Sequence, residues 1–313
     1  MTKERSSFAL PGSFGIGTRV WGDRFRWGYG EDFTEDDLTS AFRIATDAGV
    51  AFFDTAEIYA RGQSEVILGK FIRESSSGVL VATKYAPFPW RFGRKAILKA
   101  LQSSLQRLEM NQVDLYQIHW PYTWVSIESL ADGLADAVDA GLTKWVGVSN
   151  FNAEQMKRAH EVLSRRGITL VSNQVKYSLI HRKPETSHLL DTCREMRVTL
   201  IAYSPIAMGA LTGKYTLDHP PLDVRRRRFN EEFLVRLQPL LQRMREIGKV
   251  HGGKTPAQVA VKWIIAKGAF PIPGVKNARQ MEEITGVYNW SLTDSEVDDL
   301  DTAAKNFEDN RGA

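Results

Sequence analysis

The chain has 313 residues, 43% hydrophobic and 25% charged, with a net charge of +4 and a pI near 9.0. No apolar run approaches the length needed to span a bilayer, and the polar residues 1–8 lack the apolar core of a secretory signal. A balance this mildly basic is no nucleic-acid signature, and the lone Cys193 excludes an internal disulfide or a thiolate zinc site. A soluble, cytoplasmic protein with no membrane, nucleic-acid or metal partner is expected, and Cys193 reads as a buried structural thiol.

In chain order, the glycine-containing residues 8–18 read as a short hairpin or a first strand. Thr34 suits a helix cap, with Asp37 three residues on and Leu38, Phe42, Ile44 and Ala45 on the buried side. Gly49 stops that helix. The apolar run Val50, Ala51, Phe52, Phe53 suits a buried strand; it ends at Asp54, with Tyr59 following on a polar turn. Residues 64–74 read as helix and 79–84 as a strand ending in Lys84. After a loop of Pro87, Phe88, Pro89 and Trp90, residues 94–109 carry Ile97, Leu98, Leu101, Leu105 and Leu108 on one stripe. The strand 113–119 ends in His119. Helices over 127–140, 153–166 and 187–196 then alternate with strands over 143–148, 170–175 and 198–203. Two helices follow, over 231–250 and 256–267, then a short strand at 269–272 and helices over 278–285 and 291–304. The basic run Arg225, Arg226, Arg227, Arg228 reads as a solvated loop, with a cofactor phosphate as the alternative.

About eight strand–helix units with no composition break predict one domain over residues 1–313. Strict alternation demands a parallel sheet, and this length suits a closed (β/α)8 TIM barrel, an α/β fold, with one or two extra helices. A doubly wound dinucleotide fold is excluded because Gly15 and Gly17 lack the third glycine of the phosphate turn. Chemistry in such barrels gathers at the carboxyl ends of the strands. Asp54, Tyr59, Lys84 and His119 stand there on three successive strands. Each alone has an ordinary structural reading. Together they suit the polarisation of a carbonyl, acceptance of hydride at carbon and protonation of the alkoxide. Lys84 is expected to lower the Tyr59 pKa, Asp54 to hold the lysine charged and a neutral His119 to donate to the carbonyl oxygen. No side chain supplies hydride, so a nicotinamide cofactor is implied.

Six runs, namely Phe53-Asp54-Thr55-Ala56-Glu57-Ile58-Tyr59, Thr83-Lys84, Ile118-His119-Trp120, Gly147-Val148-Ser149-Asn150-Phe151, Ser172-Asn173-Gln174 and Ile272-Pro273-Gly274, together resemble the aldo-keto reductase family in order and spacing. The loop from Phe88 to Gly93 and the run from Ala202 to Ala207 resemble its plant-chloroplast and cyanobacterial type. The resemblance implies NADPH-dependent reduction of aldehydes and ketones, with Tyr59 as proton donor, Lys84 and Asp54 tuning it and His119 orienting the carbonyl. It assigns NADP(H) to Gly17, Thr18, Ser149, Asn150, Gln174, Tyr203, Ser204, Pro205, Leu211, Gly213, Lys214, Gly274, Lys276, Arg279, Gln280 and Glu283. Ser149, Asn150 and Gln174 would hold the carboxamide and Tyr203 would stack on the nicotinamide ring. Residues 204–213 would follow the pyrophosphate, and Lys276 and Arg279 would meet the 2′-phosphate. Two positions depart from the pattern: Gln280 replaces a frequent arginine and Ile284 a frequent asparagine. Trp21, Trp90 and Trp120, with Phe88, Tyr122 and Trp124, are expected to line an open aromatic mouth for small carbonyl compounds, on a protein expected to be monomeric. The competing readings are a cofactor-binding regulatory subunit with little turnover and a hydrolase using Asp54 with Glu57.

Overall fold

The computed structural model describes residues 8–309 apart from 76, 77, 123 and 224. Its strands are β1 (Ile16–Gly17), β2 (Phe52–Asp54), β3 (Leu80–Tyr85), β4 (Val113–Ile118), β5 (Thr143–Ser149), β6 (Leu170–Lys176), β7 (Thr199–Tyr203) and β8 (Phe270–Ile272). Each pairs in parallel with the next in chain order. The ring closes between its first and last strands. Gly15 N donates to Pro271 O and Gly17 N to Pro273 O, both at 3.0 Å, and Gly17 bridges Gly274 in parallel. The result is the expected (β/α)8 barrel.

Side-chain alternation along the strands sorts the apolar residues into two cores. Phe52, Ala82, Leu115, Ile201, Phe270 and Ile272 fill the barrel interior. Their neighbours Phe53, Val81 and Tyr116 face outward, where they meet the apolar stripes of the surrounding helices. Helix Arg94–Leu108 buries Ile97, Leu101, Leu105 and Leu108 of its predicted stripe, each such side chain contributing roughly 1.5–3 kcal/mol. Helix Glu35–Asp47 starts at the predicted cap, where Thr34 and Asp37 satisfy each other's backbone N–H. The barrel is thus stabilised on both faces of every strand, and the strand ends inherit that rigidity.

Of the two readings of residues 8–18, the structure bears out the first strand, two residues long, and not the hairpin. Two other local expectations change. The helix expected over 187–196 starts later, at Leu189, and runs to Glu195, because His188 takes a left-handed φ of 55°; a separate short helix, Lys183–Thr186, precedes it. The last helix begins at Asp294, after Thr293 exchanges hydrogen bonds with Glu296, and runs on to Asp309. Cys193 is buried against Met156, Sγ to Sδ 3.7 Å, and burial pushes its thiol up to about 12, which makes it the inert structural thiol anticipated. Among the described residues, no helix is long and apolar enough to cross a membrane.

Candidate active site

The same alternation that fills the barrel builds the site. Two residues beyond interior Phe52 comes Asp54; two beyond Ala82 comes Lys84; two beyond Leu115 comes Gln117; two beyond Ile201 comes Tyr203. An apolar layer is therefore topped by a polar one at the carboxyl ends. Glycine is required in that upper layer: a Cβ on Gly147 would meet Ser172 Oγ at 2.2 Å and Gln117 Cγ at 3.2 Å.

Lys84 is fully buried and all three of its N–H bonds are used. Nζ donates to Asp54 Oδ2 at 2.5 Å, to Thr55 O at 2.7 Å and to Tyr59 Oη at 3.3 Å. The second oxygen of Asp54 accepts from Gln174 Nε2 at 2.7 Å and Gln117 Nε2 at 3.3 Å. Tyr59 opens a one-turn 3-10 helix (Tyr59–Gly62) that bends through left-handed Ala60 (φ 47°) and Arg61 (φ 57°). Such conformations cost roughly 1–3 kcal/mol each and persist where packing enforces them. This sharp turn folds the phenol back over the lysine. His119 sits one residue past β4, its ring edge-on to Tyr59 at 5.7 Å and stacked on Trp120 at 3.6 Å. The four catalytic candidates are thus gathered in one place.

Burial is the largest influence on the Tyr59 phenol and raises its pKa. Lys84 pulls it down, as the sequence suggests, but does not prevail, so the expectation of a lowered value is corrected. Burial alone would lower the Lys84 pKa; the Asp54 carboxylate and Tyr59 outweigh it, and the ammonium is held. His119 lies well below its ordinary value, through burial first and then the charges of Lys84 and Arg19. At neutral pH the site therefore presents a protonated phenol, an ammonium and a neutral imidazole. Glu57 is engaged elsewhere: it accepts from Arg91 Nη1 at 2.5 Å and from Ala86 N at 2.7 Å. With Asp54 locked to Lys84, the paired-carboxylate hydrolase finds no free acid here.

The expected carboxamide partners cluster beside His119. Asn150, at left-handed φ 62°, donates from Nδ2 to His119 O and Ser149 Oγ, both at 3.0 Å, and accepts from Tyr203 Oη at 3.0 Å. Ser149 donates to Gln174 O at 2.7 Å. Gln174 spends one amide N–H on Asp54, which leaves its carbonyl oxygen and its second N–H for a ligand. After β7, Ser204, Ala207 and Met208 are all left-handed, with buried Pro205 and Leu211 beneath them and Gly213 at φ 74°. The Leu211 side chain is wholly in the core, so only its backbone can face a ligand.

Further out, four cations converge. Burial lowers the pKa of both Lys214 and Lys276, and Arg225 lowers each further; Arg279 acts on Lys214, and Lys214 on Lys276. Lys276 Nζ donates to Trp27 O at 2.6 Å. Arg225 pairs with Asp223, donates to Met208 O at 3.3 Å and lies over the rings of Trp27 and Tyr215. It is therefore no plain solvated loop charge. Mutually repelling cations beside the N-terminus of helix Ala278–Thr285 suit a phosphate. At the two departing positions, Gln280 Oε1 accepts from Lys276 N at 2.9 Å and fixes that loop, while Ile284 packs in the core. Exposed Gly274 and half-buried Glu283 complete this edge, and Gly17 and Thr18 lie where β1 meets it. The donor set fits NADP(H) from end to end.

The mouth departs from expectation at one residue. Trp90 (71% exposed) stacks on Phe88 at 4.8 Å, and a stacked run leads from His119 through Trp120 and Tyr122 to Trp124. Trp21, in contrast, is 0% exposed and packs on Phe53 and Phe71, with Nε1 donating to Val275 O at 3.1 Å. It is a core residue and lines no mouth. Arg19, not singled out from the sequence, is the exposed residue of that turn. Among the described residues, no group of three or more His, Cys, Asp or Glu side chains is arranged to hold a metal.

Comparison with known proteins agrees with this geometry. Residues 14–305 match the model of the Aldo/keto reductase family. Over 304 residues the chain is 40% identical to a chloroplastic pyridoxal reductase of Arabidopsis thaliana, covering 93% of this chain and 82% of that one. A glycerol dehydrogenase from Gluconobacter oxydans superposes with a TM-score of 0.83 at 27% identity, covering 94% and 91% of the two chains. An aldo-keto reductase from Klebsiella pneumoniae in complex with NADPH gives a TM-score of 0.72 at 25% identity, covering 93% and 90%. The chain belongs to the aldo/keto reductase family.

Proposed function

We propose that this chain reduces the carbonyl group of small-molecule aldehydes and ketones to the alcohol, with NADP(H) as cofactor and Tyr59 as general acid. One observation carries the reading. Lys84, which can only donate, reaches the Tyr59 oxygen at 3.3 Å, so the phenol proton is directed away from it, toward the mouth. When bound, the reduced nicotinamide supplies hydride to the carbonyl carbon. Tyr59 gives its proton to the oxygen that becomes alkoxide, and Lys84 stabilises the phenolate left behind. Asp54 holds Lys84 charged through the cycle. Neutral His119 donates to the carbonyl oxygen and orients it. Positioned proton transfer of this kind is worth about 10²–10⁴-fold.

NADP(H) is supported by the cation group of Lys214, Arg225, Lys276 and Arg279 and by the NADPH-bound relative from Klebsiella pneumoniae. The stacked wall of Trp120, Tyr122 and Trp124 favours flat, apolar carbonyl compounds in an open, permissive site. Pyridoxal is the first such compound to test, since the Arabidopsis thaliana relative is named for its reduction. The cytoplasmic setting stays part of the proposal, because that relative is chloroplastic.

The test mixes purified protein with NADPH and a panel of aldehydes that includes pyridoxal, and follows cofactor oxidation. Turnover of several aldehydes at comparable efficiency is expected. Tight NADPH binding with no turnover of any of them would overturn the reading in favour of a regulatory subunit. Preference for one aldehyde by orders of magnitude over all others of the same charge would overturn the permissive site.

A further inference from the structure

We propose that Arg19 is a specificity-determining residue whose guanidinium pairs with an anionic group, carboxylate or phosphate, carried by the carbonyl substrate. The inference deepens the carbonyl-reductase reading and rests on it. Position comes first. Thr18 is pinned to the base of the site: its N and Oγ1 both donate to Asp54 O, at 2.9 and 3.1 Å, and Oγ1 lies 2.7 Å from Ser64 Oγ. Thr18 is buried and the next residue, Arg19, is exposed, so the chain emerges here on the solvent side of Asp54 and Lys84.

Reach comes second. Tyr59 and His119 lie edge-on at 5.7 Å, and Asn150 joins Tyr203 to the His119 backbone, so the three residues share one opening at the strand ends. The charge of Arg19 is felt at all three. That agrees with the backbone, which brings Arg19 out next to Thr18, itself bonded to Asp54 O.

Pairing comes third. Arg91, near the same opening, is neutralised by Glu57, and Lys84 beneath it by Asp54. Among the described residues, Arg19 has no carboxylate partner within salt-bridge distance, although its planar fork of donors suits bidentate pairing with a carboxylate or phosphate. On the strand-end side of Asp54 the turn therefore carries one positive charge without an ion-pair partner among the described residues. A substrate that brings the missing negative charge is drawn in and oriented; a neutral one gains neither effect.

The test uses pairs of aldehydes that differ chiefly in charge: 4-carboxybenzaldehyde against benzaldehyde, and glyceraldehyde 3-phosphate against glyceraldehyde. The readout is the ratio of kcat/KM within each pair, for wild type, Arg19→Gln and Arg19→Lys. Wild type is expected to favour the anionic member of at least one pair, mainly through KM, and the preferred pair tells carboxylate from phosphate. Arg19→Gln is expected to lower that ratio by roughly ten- to a hundredfold, the worth of a hydrogen bond to a charged group. Arg19→Lys restores part of it, and 0.5 M salt erases much of it in wild type because the site is exposed. A purely structural role would depress both members of a pair alike and leave the ratio unchanged, which overturns the proposal. Failure of the reductase reading looks different: no aldehyde, charged or neutral, oxidises NADPH. In that case the proposal is judged by equilibrium binding of benzoate against benzyl alcohol, read from tryptophan fluorescence. Equal benzoate affinity in wild type and Arg19→Gln would then refute it.

Discussion

Lys84 donates to the Tyr59 phenol oxygen across 3.3 Å, and an ammonium has no lone pair to take the phenol proton in return. The hydrogen bond therefore sets the direction of the tyrosine O–H as well as the stability of the phenolate that forms once its proton has left. Burial keeps the phenol protonated, and the lysine makes its conjugate base tolerable. A general acid needs both properties in one residue.

Tyr59→Phe removes the transferable proton and leaves the ring in place. Aldehyde-dependent NADPH oxidation is expected to fall by about 10²–10⁴-fold or more. NADPH affinity, read by quenching of tryptophan fluorescence, is expected to change little. Turnover within a few-fold of wild type would remove Tyr59 from the role of proton donor.

The Asp54–Lys84 pair has a second consequence, for stability. Both side chains are buried, 2% and 0% exposed, so deleting one leaves the other charged and unpaired. Lys84→Met is expected to cost about 3–5 kcal/mol in urea unfolding. The double variant Asp54→Asn/Lys84→Met should recover a sizeable part of that loss while staying inactive. If the two single losses simply add in the double variant, the pair is not coupled as its geometry implies.

How far the sequence reveals this site depends on which physical signal carries each residue. Asp54, Lys84 and His119 are legible because each closes an apolar run that has the length and composition of a buried strand. Tyr59 is legible by its place on the polar turn that follows. The burial of Trp21 is not legible. An indole on a strand-end turn reads as a ligand-facing aromatic. What places it in the core is packing on Phe53 and Phe71 and a hydrogen bond to Val275 O, 254 residues away, which no local pattern encodes. The raised Tyr59 pKa is hidden for a similar reason: sequence names the lysine neighbour, but the depth of burial that outweighs it belongs to the closed barrel. Arg225 reads as part of a solvated run because its aromatic platforms, Trp27 and Tyr215, come from other parts of the chain.

The pKa directions give a pH profile with definite signs. His119 titrates well below its ordinary value of about 6.5, so it stays neutral from pH 6 to 8 and should leave no inflection in kcat/KM there. The alkaline limb belongs to Tyr59, whose raised pKa places it above about pH 10. For stability the two basic groups act at opposite ends. The unfolded chain binds more protons at His119 below about pH 6.5, so acidification through that range is destabilising. Lys84, raised in the fold, contributes fully below about pH 10.4 and loses its contribution as pH rises through its folded value. An inflection between pH 6 and 8 that disappears in His119→Gln would contradict the assignment of a neutral imidazole.

The outer cations make a prediction about cofactor choice. Beyond burial, Arg225 lowers the pKa of both Lys214 and Lys276; Asp223, Asp32 and Glu283 offset this only in part, and an anion bound among these cations would relieve the rest. A 2′-phosphate is the group that distinguishes NADPH from NADH, so removing one cation should penalise NADPH selectively. Arg225→Gln is the informative change, because Arg225 acts on both Lys214 and Lys276 and is held by Asp223 and Met208 O. Its loss is expected to raise the dissociation constant of NADPH by roughly ten- to a hundredfold, the worth of one charge-assisted hydrogen bond, and that of NADH far less. Raising the salt concentration should narrow the NADPH-over-NADH preference in wild type by screening the same charges. Arg225 also packs over Trp27 and Tyr215, so a thermal melt of the variant separates loosened packing from lost charge. If Arg225→Gln weakens both cofactors equally while the melting temperature falls, the residue is a packing element and the phosphate lies elsewhere.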